Sequence, residues 1–113
     1  MSLIDIEDAM LHVRAEEADR RLVQLYLDAA EDSAVRFMGR SVYPDQAALD
    51  AAVEAETVGD YPMVVNPSIT AACLLLAGHL YANREDVATG VSVTQMPMGS
   101  TFLLMPYRAN MGV

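Results

Sequence analysis

The segment that most constrains this chain is the run from Ile69 to Tyr81, which is apolar except at Thr70, Gly78 and His79. Asn66 is a good N-cap and Pro67 is preorganised for the first helical position. Asn83-Arg84-Glu85-Asp86 closes the run with polar and charged residues. The pattern predicts a helix with no polar face, which must be covered on several sides. It is too short to cross a bilayer, which needs about 20 apolar residues. A chain of 113 residues has room for a single domain, residues 1–113, with a single core. One small core rarely surrounds such a helix, so cover from a neighbouring subunit is expected.

The rest of the chain reads as further helices around it. Asp5 caps a short helix to Val13 whose Ile6, Met10 and Val13 share a face, and Arg14-Ala15 breaks it. A long helix is predicted from about Glu16 to Met38. Its apolar stripe holds Leu22, Leu25, Tyr26, Ala29, Ala30, Ala34, Phe37 and Met38. Glu16/Arg20, Glu17/Arg21 and Asp32/Arg36 have the favourable i,i+4 order, each adding ~0.2–0.5 kcal/mol, and Gly39 is a natural stop. Arg40 to Pro44 reads as a turn. Asp45 then caps an alanine-rich helix from Gln46 to about Glu56, and Gly59-Asp60-Tyr61-Pro62 ends it. After the apolar helix, Gly90 to Met96 alternates like a strand or an exposed arm. Pro97-Met98-Gly99 reads as a turn, and Phe102 to Met105 as a short helix or strand stopped by Pro106. The expected fold is all-α: a small bundle with two long antiparallel helices, shorter helices, and a C-terminal loop, short hairpin or helix arm.

Charge narrows the function. The net charge is −9, and all of it lies in residues 1–60. Residues 61–113 set Glu85 and Asp86 against Arg84 and Arg108. Such a chain lacks the basic footprint that grips phosphate. All seven basic residues are arginine, a residue that interfaces favour over lysine. GC-rich coding gives the same bias. Cys73, the single cysteine, sits in an apolar run and cannot form a disulfide within the chain. No basic stretch followed by an apolar one opens the sequence, so a cytoplasmic setting is expected.

Catalytic patterns are sparse. There is no glycine-rich phosphate loop, G-x-S-x-G or H-E-x-x-H. Asp8 and His12 lie four apart on a helix but lack a third ligand. No cofactor, metal or enzymatic activity is expected. His79 reads as a hydrogen-bonded interior histidine. Met96, Met98, Phe102, Leu103 and Leu104 cluster in the tail, a composition that suits an adaptable contact surface as well as a local core. Arg84 and Glu85 are candidates for ion pairs at the end of the apolar helix. His79, Tyr81 and Asn83 are candidate hydrogen-bonding groups there, and Tyr107 and Arg108 are candidate anchors of the tail. From the residues alone, two classes stay open: a self-assembling structural subunit, and an acidic helical binding module that mimics DNA or adapts a basic partner.

Several segments together resemble a known family. They are Leu3-Ile4-Asp5-Ile6-Glu7-Asp8-Ala9 with Leu11-His12-Val13-Arg14, and an acidic helix start with Asp19, Ala29-Ala30 and Gly39. Then come Pro67-Ser68-Ile69, Leu76 to Glu85, Met96-Pro97-Met98-Gly99, and Leu103-Leu104-Met105-Pro106-Tyr107-Arg108. In order and spacing the set resembles the gp6-like head–tail connector proteins of tailed phages and prophages, also called DNA-packaging or head-completion adaptors. Its most specific parts are His79 to Glu85 and the closing Leu-Leu-x-Pro-Tyr-Arg. Ala15 departs from the family's usual polar or acidic residue, and residues 45–58 carry no matching motif. The resemblance implies a structural, non-enzymatic protein of the virion, assembled in the host cytoplasm. It implies a homo-oligomeric ring, expected to be twelvefold, between the portal protein and a downstream head-completion or tail protein. DNA would pass through it without sequence-specific binding, and no membrane is involved.

Overall fold

The computed structural model describes residues 3–83 and 98–109. Helix α1 (Ile6–Val13) starts where the Asp5 carboxylate accepts a hydrogen bond from the Glu7 amide at 3.0 Å. It stops at Arg14, whose φ of 54° turns the chain into the left-handed region. A 3₁₀ turn (Glu17–Asp19) leads into α2 (Arg20–Met38), closed by Gly39 at φ 66°. The long helix therefore begins later than its charges suggest, because Glu16 is extended. The 3₁₀ turn also changes the ion pairs. Arg20 meets Glu17 at 2.6 Å and Glu7 at 2.8 Å instead of Glu16, whereas Asp32 and Arg36 pair at 2.8 Å as their spacing predicts.

Residues 40–65 hold the largest departure from the sequence reading. Where a turn was expected, Val42–Tyr43 forms a short strand β1, parallel to β2 (Met63–Val64). A parallel pair needs a crossover, and α3 (Gln46–Glu54) supplies it, capped by Asp45 accepting from the Ala48 amide at 2.7 Å. None of the residues in α3 is buried.

Helix α4 (Pro67–Ala82) is the apolar helix, and Asn66 caps it through the Ile69 amide at 2.9 Å. Tyr81, near its C-terminal end, bonds to Asp19 just before α2. At the other end, β1 after α2 pairs with β2 before α4. The two long helices therefore run antiparallel. Helix α5 (Met98–Leu104), followed by a 3₁₀ turn (Met105–Tyr107), packs on α4. Met98 and Gly99 thus belong to a helix rather than a turn, and of the alternatives for 102–105 the chain takes the helical one. The alternating segment Gly90–Met96 lies outside the described residues.

The fold is an all-α bundle in which α1, α2 and α5 pack around α4. Its core holds Val23, Leu27, Ala30, Ala34 and Met38 of α2 against Ile69, Ala72, Cys73, Leu76 and Ala77 of α4. The subunit thereby covers most of the apolar helix from within its own chain. The C-terminal residues, folded back as α5, supply cover that had been expected from a neighbour. What stays open is a strip of α4 at Leu75, 40% exposed, and Ala82. The apolar stripe of α2 is likewise only partly used, because Leu25 and Ala29 face outward.

Candidate functional site

The candidate residues gather at two places: the C-terminal end of α4, and the α5 arm. At the first, Asn83 closes the helix. Its backbone amide and its side-chain Nδ2 both donate to the His79 carbonyl, at 3.1 and 2.8 Å. The same Nδ2 lies 3.4 Å from His79 Nδ1. One of the helix end's terminal carbonyls, that of His79, is thus satisfied locally by two donors, with His79 half-buried. Tyr81 reaches the other way. Its hydroxyl donates to Asp19 Oδ2 at 2.7 Å, and its ring meets Tyr26 edge-on at 6.5 Å. An edge-to-face pair of this kind adds about 0.5–1.5 kcal/mol beyond its burial. Tyr81, through Asp19 and Tyr26, ties the end of α4 to the start of α2. Arg84, Glu85 and Met96 lie outside the described residues.

The arm divides its apolar residues. Leu104 is fully buried among the core residues, Leu103 is half-buried against them, and Phe102 is 78% exposed. Met98 is the first residue of α5. The burial of Leu104 follows from Ser100, whose hydroxyl donates to the Ala72 carbonyl at 3.1 Å and pins the helix to α4. Phe102, two residues on, is thereby turned outward. Tyr107 packs against the core, and its carbonyl accepts from an Arg40 guanidinium nitrogen at 3.3 Å. Arg108 stacks over the Phe37 ring at 5.0 Å, a cation–π contact. The Ala109 amide donates to the Met38 carbonyl at 2.7 Å, so the arm ends fastened to the end of α2. The contacts that Tyr107 and Arg108 make here lie within the subunit.

Four residues that the sequence reading passed over hold this arrangement. Arg40 donates to the Tyr61 carbonyl at 2.8 Å as well as to Tyr107, tying residues 41–65 to the arm. Glu31 is buried, and its carboxylate accepts from the Leu3 and Ile4 amides at 2.9 and 3.1 Å. Its period with Leu27, Ala34 and Met38 was the available signal. Ser100 is the third. The fourth is Gly78, where α1 and α4 approach: a Cβ there would lie 3.0 Å from His12 Nε2. Nothing in the sequence alone marked Arg40 or Ser100.

Electrostatics are mild. Glu17 is held below its ordinary carboxylate range by its hydrogen bond from Arg20. The Cys73 thiol is pushed up to about 12, chiefly by burial with the Glu31 charge adding to it, so it stays neutral and is a poor nucleophile. Among the described residues, no three His, Cys, Asp or Glu side chains group to hold a metal, and no helix is long and apolar enough to cross a membrane.

No curated protein and no solved structure matches the chain. Residues 4–108, from the Glu31-held N-terminal segment to the Arg108 anchor, match the family model of the phage gp6-like head–tail connector protein. The chain therefore belongs to the gp6-like head–tail connector family, as a structural rather than enzymatic component of the phage virion.

Proposed function

We propose that this protein is a ring-forming adaptor of a tailed phage or prophage. It sits between the portal and a downstream head-completion or tail protein and extends the DNA channel, twelvefold in the virion. The observation that carries the reading is the family match over 4–108. Support comes from large apolar side chains, Leu25, Leu75 and Phe102, left uncovered on a well-packed bundle. A ring arises from heterologous contacts, in which one face of each subunit meets a different face of the next. Part of the −9 charge faces the lumen, where it repels phosphate and lets DNA slide without being held.

The test is sedimentation and negative-stain imaging of the full chain, alone and with its portal protein. Discrete rings are the expected result. A monomer in both conditions overturns the reading and favours an acidic binding module. Arg84→Ala is expected to lower the assembled fraction more than Arg14→Ala, and equal sedimentation profiles for the two variants would remove Arg84 from the interface. A ring whose lumen is lined by arginine, with the acids outside, would remove the role given to the charge.

A further inference from the structure

One backbone position in the β1–α3–β2 segment is strained and tied to the C-terminal arm. Tyr61 takes φ 47°, in the left-handed region that few residues besides glycine, asparagine and aspartate enter. Pro62 follows it, and a proline ring drives the residue before it toward extended backbone. Burial of the side chain does not offset this strain, since Tyr61 is 54% exposed. What is held is its carbonyl, to which Arg40 Nε donates at 2.8 Å. Neighbouring bonds fix the loop around that contact. The Ser41 amide donates to the Asp60 carbonyl at 2.9 Å, and the Gly59 amide donates to the Tyr43 hydroxyl at 3.2 Å. Strain of this kind persists only where the surroundings over-determine it.

We infer that the Tyr61 backbone is a two-position latch, and that Arg40 couples its position to the fastening of the α5 arm. In the held position the half-buried guanidinium is fixed by its short bond to Tyr61, which places Nη1 3.3 Å from the Tyr107 carbonyl. The planar, rigid fork of arginine lets one side chain serve two acceptors in this way. In the relaxed position Tyr61 takes the extended backbone that Pro62 favours, and its carbonyl turns away from Arg40. The guanidinium then loses the partner that positions it for Tyr107. Coupling between two sites is reciprocal, so loosening the arm also eases the latch toward its relaxed position. A contact made on the exposed Tyr61 ring is thereby felt at the arm that covers α4. The device belongs to the single subunit and does not depend on the ring.

The experiment compares Tyr61→Asn with Tyr61→Val in the full chain by amide hydrogen exchange. Both remove the aromatic ring, but asparagine tolerates the left-handed region and β-branched valine does not. Circular dichroism and unchanged exchange in the middle of α2 check that both variants fold. The Ala109 amide, bonded to the Met38 carbonyl at 2.7 Å, is the reporter on the arm. Its exchange is expected to be at least about fivefold faster in Tyr61→Val than in Tyr61→Asn. In an Arg40→Ala background the two variants should exchange alike at Ala109. Ser100→Ala, which frees the arm from the Ala72 carbonyl, should speed exchange at the Ser41 amide. Equal exchange at Ala109 in the two Tyr61 variants overturns the coupling. A difference that survives Arg40→Ala overturns the part given to Arg40. Arg40→Lys leaves position 61 untouched and keeps the charge without the fork, so it should speed exchange at Ser41 and Ala109 together. Acceleration at Ser41 alone overturns the coupling, and acceleration at neither overturns the latch.

Discussion

The helical bundle and the β1–α3–β2 excursion are held by different forces. The bundle is held by burial: Leu27, Met38, Ile69, Cys73 and Leu104 are sealed from water within it. The excursion has no buried residue in its helix. Its strand hydrogen bonds are internal, between β1 and β2, and it is joined to the rest by Val42, Met63 and Val65 packed on the core's edge and by Arg40, which holds the Tyr107 carbonyl. Burial makes a region cooperative, since loss of one contact opens a cavity for its neighbours. Polar ties hold a region in place while letting it open on its own. Position and stability are thus supplied separately in this chain.

The largest expected effect is on the bundle. Leu27→Ala removes a fully buried side chain and should cost about 2–5 kcal/mol, read as a lower midpoint in urea with one transition for all helices. A second transition would break the comparison. Arg40→Ala comes next, at about 1–2 kcal/mol for two hydrogen bonds from a charged donor. Its signature is local: faster hydrogen exchange at the Ser41, Met63 and Val65 amides, with α2 and α4 unchanged. Asp45→Ala loses the cap of α3, about 1 kcal/mol of helix stability, and should speed exchange in α3 alone. The smallest effect is on Cys73. Its labelling by a thiol reagent should be slow in the native protein and unmoved by Arg40→Ala, since it reports opening of the bundle. If Arg40→Ala accelerates labelling, the two regions open together. The thiol also sets a pH dependence. Its folded value is raised above the ordinary 9.0 to about 12, so its contribution is complete below pH 9. Stability then falls as the pH rises toward 12, because the unfolded chain gains from ionising first. Cys73→Ser should flatten that slope.

The difference between the regions also explains what could be read in advance. Helix α4 was legible from Asn66-Pro67 and its apolar run because caps and burial are local, strong signals. Helix α1 was legible to its last residue for the same reason. The start of α2 was misread because Glu16 takes extended backbone, with φ −85° and ψ 160°, although its charge suits a first turn. Strands of two residues carry no periodicity, so β1 and β2 were invisible. At the candidate site, Tyr81, Asn83, Tyr107 and Arg108 were singled out by residue type, and the i,i+4 spacing already sets Asn83 beside His79, but the partners Asp19, Arg40 and Phe37 follow only from tertiary placement. Of the tail cluster, Leu104 belongs to the core and Phe102 is exposed. Helical spacing buries Leu104 and leaves Phe102 outside, and that division depends on the Ser100 bond to Ala72, which no spacing rule contains.

The two ends of the described bundle are moored to one helix. Glu31 holds the Leu3 and Ile4 amides, and the Met38 carbonyl holds Ala109. Seven residues of helix separate the moorings, about 10 Å at 1.5 Å per residue. A pull between residue 3 and residue 109 therefore runs through roughly two turns of α2 in shear, with Arg40 joining the acidic excursion to it at Tyr107. The helix end with His79 and Asn83 lies away from both moorings.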